Sequence, residues 1–194
     1  MKEEEYYLVS NKPKDQYDYI SKELGIQPLT EFNEDWSLEL EIKNRLKFRE
    51  KAEEVEKSMI DVGGLVGEDF DKLNPLTHTF ADGQYIRRID MPAGQVCTTK
   101  IHKKNHPFFI MTGYISILTE KGIQHLKAPY HGITKPGTKR IIYVHEDCIF
   151  ITVHATDKNT VKEVTKEVVC DKYEELPIEL DTVEMLKKIN LKIE

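Results

Sequence analysis

The chain has 194 residues, of which 39% are hydrophobic and 32% are charged, and its formal net charge is −6. This composition is typical of a globular protein with one well-buried core and excludes a low-complexity or collagen-like chain. No apolar run approaches the roughly 20 residues that a membrane helix needs, so we expect no membrane span and no membrane partner.

The N-terminus and the cysteines predict a cytoplasmic protein. The opening residues, MKEEEYYLVSNK, are acidic and lack the apolar segment of a secretory signal. Cys97, Cys148 and Cys170 are widely spaced and form no CxxC pair. That spacing argues against a disulfide scaffold and against a Cys-rich zinc site.

Helical patterns fill the first third of the chain. Residues 15–25 have apolar side chains at helical spacing and end at a glycine, and a long amphipathic helix is predicted from Trp36 to Met59. Residues 64–78 contain turn-forming residues and are predicted to be a connecting loop. We therefore expect residues 1–79 to be a helical extension.

From about residue 80 the pattern changes to short segments rich in Ile, Val, Thr, Tyr and Phe, separated by turn residues. This is typical of an antiparallel β-sandwich or β-barrel. After residue 157 helical spacing returns at 160–169 and 180–189, with Asp181 a candidate N-cap. The predicted division is thus a β-barrel over 80–156 and a helical extension over 157–194.

Positive charge is concentrated in the predicted barrel. Residues 84–145 contain ten Lys and Arg but only Asp90 and Glu120 as acids, so this segment carries +8 and the remainder −14. Acidic helices packed against a basic sheet would explain this, and so would an anionic ligand held by the middle segment; both can be true. A nucleic-acid partner is not indicated, because the chain is acidic overall and has no RNP-like or zinc-knuckle motif.

The segment HKKNH places His102 and His106 four residues apart. On one straight strand they would be about 13 Å apart, too far to share an ion, and the surrounding residues are poor helix formers. If Lys103 to Asn105 form a tight turn, however, the two imidazoles can converge on the inner face of a barrel. Only this geometry satisfies both the β pattern and a shared ion.

These residues resemble the two-part motif of the cupin superfamily. Gly94, His102, His106 and Gly113 match its first part, and Pro136-Gly137 followed by Arg140 matches its second. Lys100 and Arg140 stand where cupins usually have metal-binding histidines. The resemblance implies a mainly β fold, a cupin-like double-stranded β-helix or jelly-roll barrel with N- and C-terminal helical extensions. The same segment also resembles small cupin-like proteins of tailed bacteriophages, which would place the protein in the host cytoplasm.

The resemblance also implies a site inside the barrel. We predict that His102, His106 and His154 bind a divalent metal (Zn, Fe, Ni or Mn), with His154 brought close by a 140–154 hairpin that turns at His145–Asp147. We expect His145 to be exposed. Arg140, Lys100 and Arg88 are predicted to bind an anionic substrate. Arg87 and Arg88 face opposite sides of their strand, so one of them enters the interior, and we assign Arg88.

Three functions fit these predictions. The first is a metal-dependent enzyme of the cupin type that acts on a small anionic substrate, with the reaction type and the catalytic residues left open. The second is a metal-free binding module that sequesters an anionic metabolite or nucleotide, which the loss of two usual ligand positions favours. The third is a scaffold that forms a homodimer, as cupins often do.

Overall fold

The computed structural model describes residues 9–10 and 38–193. These residues contain four helices and a short 3-10 turn, and the predicted helix at 15–25 lies outside them. The helices are α1 (Leu38–Asp61), α2 (Glu68–Leu73), α3 (Val161–Val168) and α4 (Thr182–Ile193), and the 3-10 turn is Tyr173–Glu175. In the described part of the chain, no helix is long and apolar enough to cross a membrane.

Within the described residues, all strand pairs are antiparallel. The strands are β1 (Val9–Ser10), β2 (Leu76–Ala81), β3 (Gln84–Met91), β4 (Val96–Thr98), β5 (Ile101–His102), β6 (His106–Thr119), β7 (Gly122–Lys127), β8 (Tyr130–Thr134), β9 (Ile141–Ala155) and β10 (Val169–Cys170).

Two long strands, β6 and β9, pair with each other and contribute one half each to two layers. The C-terminal half of β6 and the N-terminal half of β9 form the layer β7–β6–β9–β4–β1. Their other halves form the layer β8–β6–β9–β3–β2. Inward side chains of both layers share one apolar core, which includes Ile89, Ile110, Ile117 and Ile142. The predicted fold class, a mainly β double-stranded β-helix with helical additions, is confirmed.

Gly113 marks the bend at which β6 passes from one layer to the other. Its φ is +83°, and a Cβ built on it would lie 2.4 Å from the carbonyl oxygen of Asp147. Only glycine accommodates both the positive φ and this close approach. The register between β6 and β9 shifts on either side of the bend.

The predicted hairpin turn at His145–Asp147 is wrong. These residues lie within β9, which runs without interruption from Ile141 to Ala155. They occupy the part of β9 that faces the Gly113 bend, where polar residues are tolerated because the ladder is already irregular. His145 is half-buried rather than exposed.

The segment predicted to be a loop at 64–78 is wrong in part, because it contains α2 and the start of β2. Phe70 of α2 is fully buried in the barrel core. This burial stabilises α2, because a helix of this length is not stable by itself in water. Since β2 begins at Leu76, the sheet starts before the predicted boundary at residue 80.

The long helix α1 packs on the outside of the barrel, as its amphipathic pattern predicted. Phe48, Ala52 and Met59 are buried against Val96 and Leu118 of the sheet. The C-terminal segment is held to α1 through Arg49, which bonds both Glu120 and Asp181. Asp181 also accepts hydrogen bonds from the backbone N–H groups of residues 183 and 184, so the predicted N-cap of α4 is confirmed.

Candidate functional site

The three predicted histidines meet inside the barrel. Lys103 to Asn105 connect β5 to β6 with a bend at Lys104, and the ring centroids of His102 and His106 lie 4.6 Å apart. The ring of His154 lies 4.1 Å from that of His106. All three side chains are buried, and their rings converge as predicted.

Two different strand pairings bring the histidines together. Phe108 of β6 pairs with Thr152 of β9. His106 lies two residues before Phe108 and His154 lies two residues after Thr152, so both are at the same end of this ladder. His102 is positioned separately, because its backbone N–H donates to the carbonyl of Thr138 at 3.0 Å. His154 therefore reaches the site through pairing of β9 with β6, not through the hairpin that we predicted.

Arg140 lies at the centre of this cluster. It is 4% exposed, its Nη1 donates to His102 Nε2 at 3.0 Å, and its Nη2 donates to the hydroxyl of Thr134. The guanidinium carbon lies 5.3 Å from the centre of the Phe108 ring, within the range of a cation–π contact. Burial lowers the pKa of Arg140 to about 10, so the side chain is still charged at neutral pH.

Burial and neighbouring positive charges keep the three histidines neutral. Burial lowers the pKa of His102 well below its ordinary value, and the charge of Arg140 lowers it further. The pKa of His106 falls to about 3, chiefly through burial and then through His154. For His154, burial and the charge of Arg87 lower the pKa to about 4. The site thus has a positive electrostatic potential.

The hydrogen-bond partners fix the proton positions on two of the rings. A guanidinium can only donate, so His102 Nε2 accepts from Arg140 and the proton of neutral His102 is on Nδ1. His106 Nδ1 donates to the carbonyl of Lys104 at 3.2 Å, which leaves its Nε2 as an acceptor. A metal-binding histidine must offer a free nitrogen lone pair to the ion, and His102 has none in this arrangement.

These residues do not fit the predicted three-histidine metal. One nitrogen of His102 bears a proton and the other is bonded to a cation, and the charges of Arg140 and Arg87 would repel a divalent ion. Among the residues that the structure describes, no group of three or more His, Cys, Asp and Glu side chains is placed to hold a metal ion.

Arg87, and not Arg88, is the strand β3 arginine that faces the interior. Arg87 lines the cavity beside His154, whereas Arg88 pairs with Asp90 and its side chain is 44% exposed. We had assigned Arg88 to the inner side of β3, and this assignment was wrong. The sequence contains a signal for Arg87, because side chains two residues apart on a strand face the same side. Tyr85 is a residue type that is typical of a core, and Arg87 lies on the same side of β3.

Lys100 faces the interior as predicted, but its ammonium group has an anionic neighbour. Its Nζ lies 2.9 Å from Asp171, which follows β10, and the side chain is 12% exposed. Lys104, in the turn between the histidines, pairs with Glu167 of α3. Both lysines thus attach the C-terminal segment to the site.

A cavity of about 60 Å³ lies next to the cluster. His102, His154, Arg87 and Arg140 line it, together with threonines and apolar side chains of both layers. The segment Val161–Cys170 covers it, because Val169 and Cys170 pair with β5 and contribute a short two-stranded ladder. Nothing in the spacing of α3 predicted this cover, since the pairing joins residues nearly 70 positions apart.

The comparisons with known proteins concern the fold. No model of a known protein family matches the sequence, and no curated protein matches it. Among solved structures, the chain is similar to an acetylacetone dioxygenase from Acinetobacter johnsonii at 15% identity and a TM-score of 0.36, over 41% of this chain. It spans 58% of the length of that dioxygenase.

Two further solved structures are cupin-2 domain proteins. The one from Shewanella frigidimarina is 12% identical over 45% of this chain and 89% of its own, with a TM-score of 0.37. The one from Rhodospirillum rubrum is 11% identical over 44% of this chain and 61% of its own, with a TM-score of 0.38. These likenesses concern the fold alone, and the resemblance to phage proteins stays a prediction.

Proposed function

We propose that the barrel is a small-molecule binding module for an anionic ligand, that Arg140 is its anchor, and that binding needs no metal. The observation that carries this proposal is the burial of Arg140 beside uncharged partners. His102 and Thr134 accept its hydrogen bonds, and within residues 38–193 no carboxylate forms an ion pair with it. A buried cation without a counterion costs several kcal/mol, which a bound anion would offset.

The surroundings of Arg140 support an anion in the same space. Arg87 adds a second positive charge to the cavity wall, and its effect is visible in the lowered pKa of His154. Two of the five guanidinium N–H groups of Arg140 donate to His102 and Thr134, which leaves three N–H groups as donors for the proposed ligand. The Nδ1–H of buried His102 has no hydrogen-bond partner and is a further donor.

Titration of purified protein with small anions tests the proposal. We expect Arg140→Gln to weaken the binding of any anion that the wild type takes up by about 10- to 100-fold, the value of a charge-assisted hydrogen bond. Arg88→Gln is the matched control, because it removes an arginine of the same barrel that faces outward. Equal loss in the two variants, or no anion binding by the wild type, would contradict the proposal.

A second candidate is the metal-dependent enzyme predicted from the sequence. The buried nitrogens His102 Nδ1, His106 Nε2 and His154 Nδ1 have no hydrogen-bond partner, which favours a ligand of some kind at this place. A three-histidine metal would require Arg140 to leave His102. Elemental analysis of untagged protein distinguishes the candidates: a stoichiometric metal that is lost in both His106→Ala and His154→Ala supports the enzyme and excludes the metal-free module.

A further inference from the structure

The cavity changes from polar to apolar along the strands that line it. On β3, Arg87 is followed two residues later by Ile89, which faces the same side. On β9, Thr152 pairs with Arg87 and Phe150 pairs with Ile89, so the neighbouring strand makes the same change at the same level. Two residues of a strand span about 7 Å, so the lining changes from polar to apolar side chains over about that distance.

The opposite layer repeats the pattern. Thr99 and Arg140 exchange hydrogen bonds at the polar end, where Thr99 N donates to the Arg140 carbonyl at 3.0 Å. Cys97 and Ile142 pair one step further inside and line the apolar part. Both walls of the cavity therefore present cationic and hydroxyl groups at one end and only apolar side chains at the other.

This distribution selects among anions. Phosphate and sulfate have oxygens on every side, so some of them would face Ile89 and Phe150 without hydrogen-bond partners. A carboxylate has both oxygens at one end and leaves the rest of the molecule free to be apolar. The cavity volume of about 60 Å³ is less than half of the roughly 150 Å³ that holds a benzene molecule in a protein core, which restricts the tail to a few carbons.

We propose that the ligand is a short-chain monocarboxylate of roughly two to five carbons, whose carboxylate lies on Arg140 and whose alkyl tail lies against Ile89, Phe150 and Ile142. This inference rests on the proposed anion-binding function and adds the chemical class of the ligand. Ile89 is then a specificity-determining residue, because it stands where the tail ends.

A homologous series of ligands tests the inference. We expect calorimetric titrations of the full chain with acetate, propionate, butyrate and pentanoate to show about fourfold tighter binding for each added methylene, followed by a loss of affinity once the cavity is filled. Inorganic phosphate and 1-butanol are the reference compounds, the first with charge and no tail, the second with a tail and no charge. Both should bind at least tenfold more weakly than butyrate.

The variants Ile89→Val and Ile86→Val sharpen the test. Each removes one methyl group from β3, but Ile89 faces the cavity and Ile86 faces the other side. Ile89→Val should move the tightest-binding acid to a longer chain, and Ile86→Val should leave it unchanged. A conservative change of this kind keeps the fold intact, so both proteins can be titrated.

The outcomes separate the inference from the function on which it rests. Phosphate binding as tight as butyrate binding, with an Arg140→Gln variant that binds neither, would overturn the carboxylate class and leave the anion-binding function standing. Binding of 1-butanol as tight as that of butyrate would overturn both, and so would the absence of binding by every compound.

Discussion

Replacement of Arg140 by glutamine should stabilise the ligand-free protein while it removes anion binding. Arg140 is 4% exposed, and its guanidinium contacts uncharged groups of His102 and Thr134. Burial lowers its pKa to about 10. Relative to the ordinary pKa of arginine, that difference corresponds to about 3 kcal/mol by which the fold disfavours the charged form.

The glutamine variant removes this cost and loses one hydrogen bond and the cation–π contact with Phe108, which contributes about 0.5–1 kcal/mol. Its amide N–H₂ can still donate to one of the two former partners, and the loss of the other hydrogen bond costs about 1 kcal/mol. We therefore expect the free energy of unfolding to rise by about 1–2 kcal/mol. For a chain of this length, each kcal/mol raises the midpoint of thermal unfolding by about 2–4 °C.

Urea unfolding in a buffer free of carboxylates and phosphate measures this effect, and the same protein is then titrated with butyrate. Arg88→Gln serves again as the control and should change neither quantity, because that side chain pairs with Asp90 at the surface. A glutamine variant that is less stable than wild type by 2 kcal/mol or more would refute the reasoning. In that case Arg140 would contribute to stability through the bonds that it makes within the fold.

Three further changes test other parts of the structure. Arg87→Gln should raise the pKa of His154, measured by NMR titration, because the charge of Arg87 is the largest cause after burial of the lowered pKa. Arg88→Gln should leave the pKa of His154 unchanged, and an equal pKa in the two variants would be contrary evidence. The pKa of His154 is about 4 in the fold and about 6.5 when unfolded, so its contribution to stability is complete above pH 6.5 and is lost as the pH falls towards 4. The free energy of unfolding should drop by about 1.4 kcal/mol per pH unit between pH 6 and 4.5 on account of this residue, and an unchanged slope in His154→Asn would speak against it. Gly113→Ala should lower the free energy of unfolding, measured by chemical denaturation, by at least about 2 kcal/mol more than Gly94→Ala does. Both glycines have a positive φ, but only a Cβ at Gly113 would meet a carbonyl oxygen. Equal losses of stability would contradict this close approach.

The sequence predicted the parts of the site that depend on local pattern. The connection at Lys103 to Asn105 follows from residues that favour turns between two β segments, and it allows His102 and His106 to come together. Lys100, expected on the inner side from its parity with His102, lies between β4 and β5 and lines the cavity. On β3, parity separated Arg87 from Arg88, and the side shared by Arg87 and Tyr85 is the inner one.

What the sequence could not supply is the pairing between distant segments. The polar residues His145 to Asp147 resemble a turn locally, yet β9 continues through them because its partner β6 bends at the same level. The cover formed by Val169 and Cys170 depends on a register with β5 that no local pattern encodes. Long-range register is set by the complementary faces of the whole barrel, which a single sequence does not reveal.

The position of Arg140 relative to the histidines determines the chemistry that this barrel can support. A metal ion offers open coordination positions, whereas a guanidinium offers N–H donors in a fixed plane, which suit a carboxylate. Because this cation is part of the chain, the positive charge in the cavity is present without any cofactor. Burial and this charge keep His102 neutral, and its Nε2 accepts a hydrogen bond from Arg140. In the proposed function, Arg140 and the Nδ1–H of His102 bind and orient the anion.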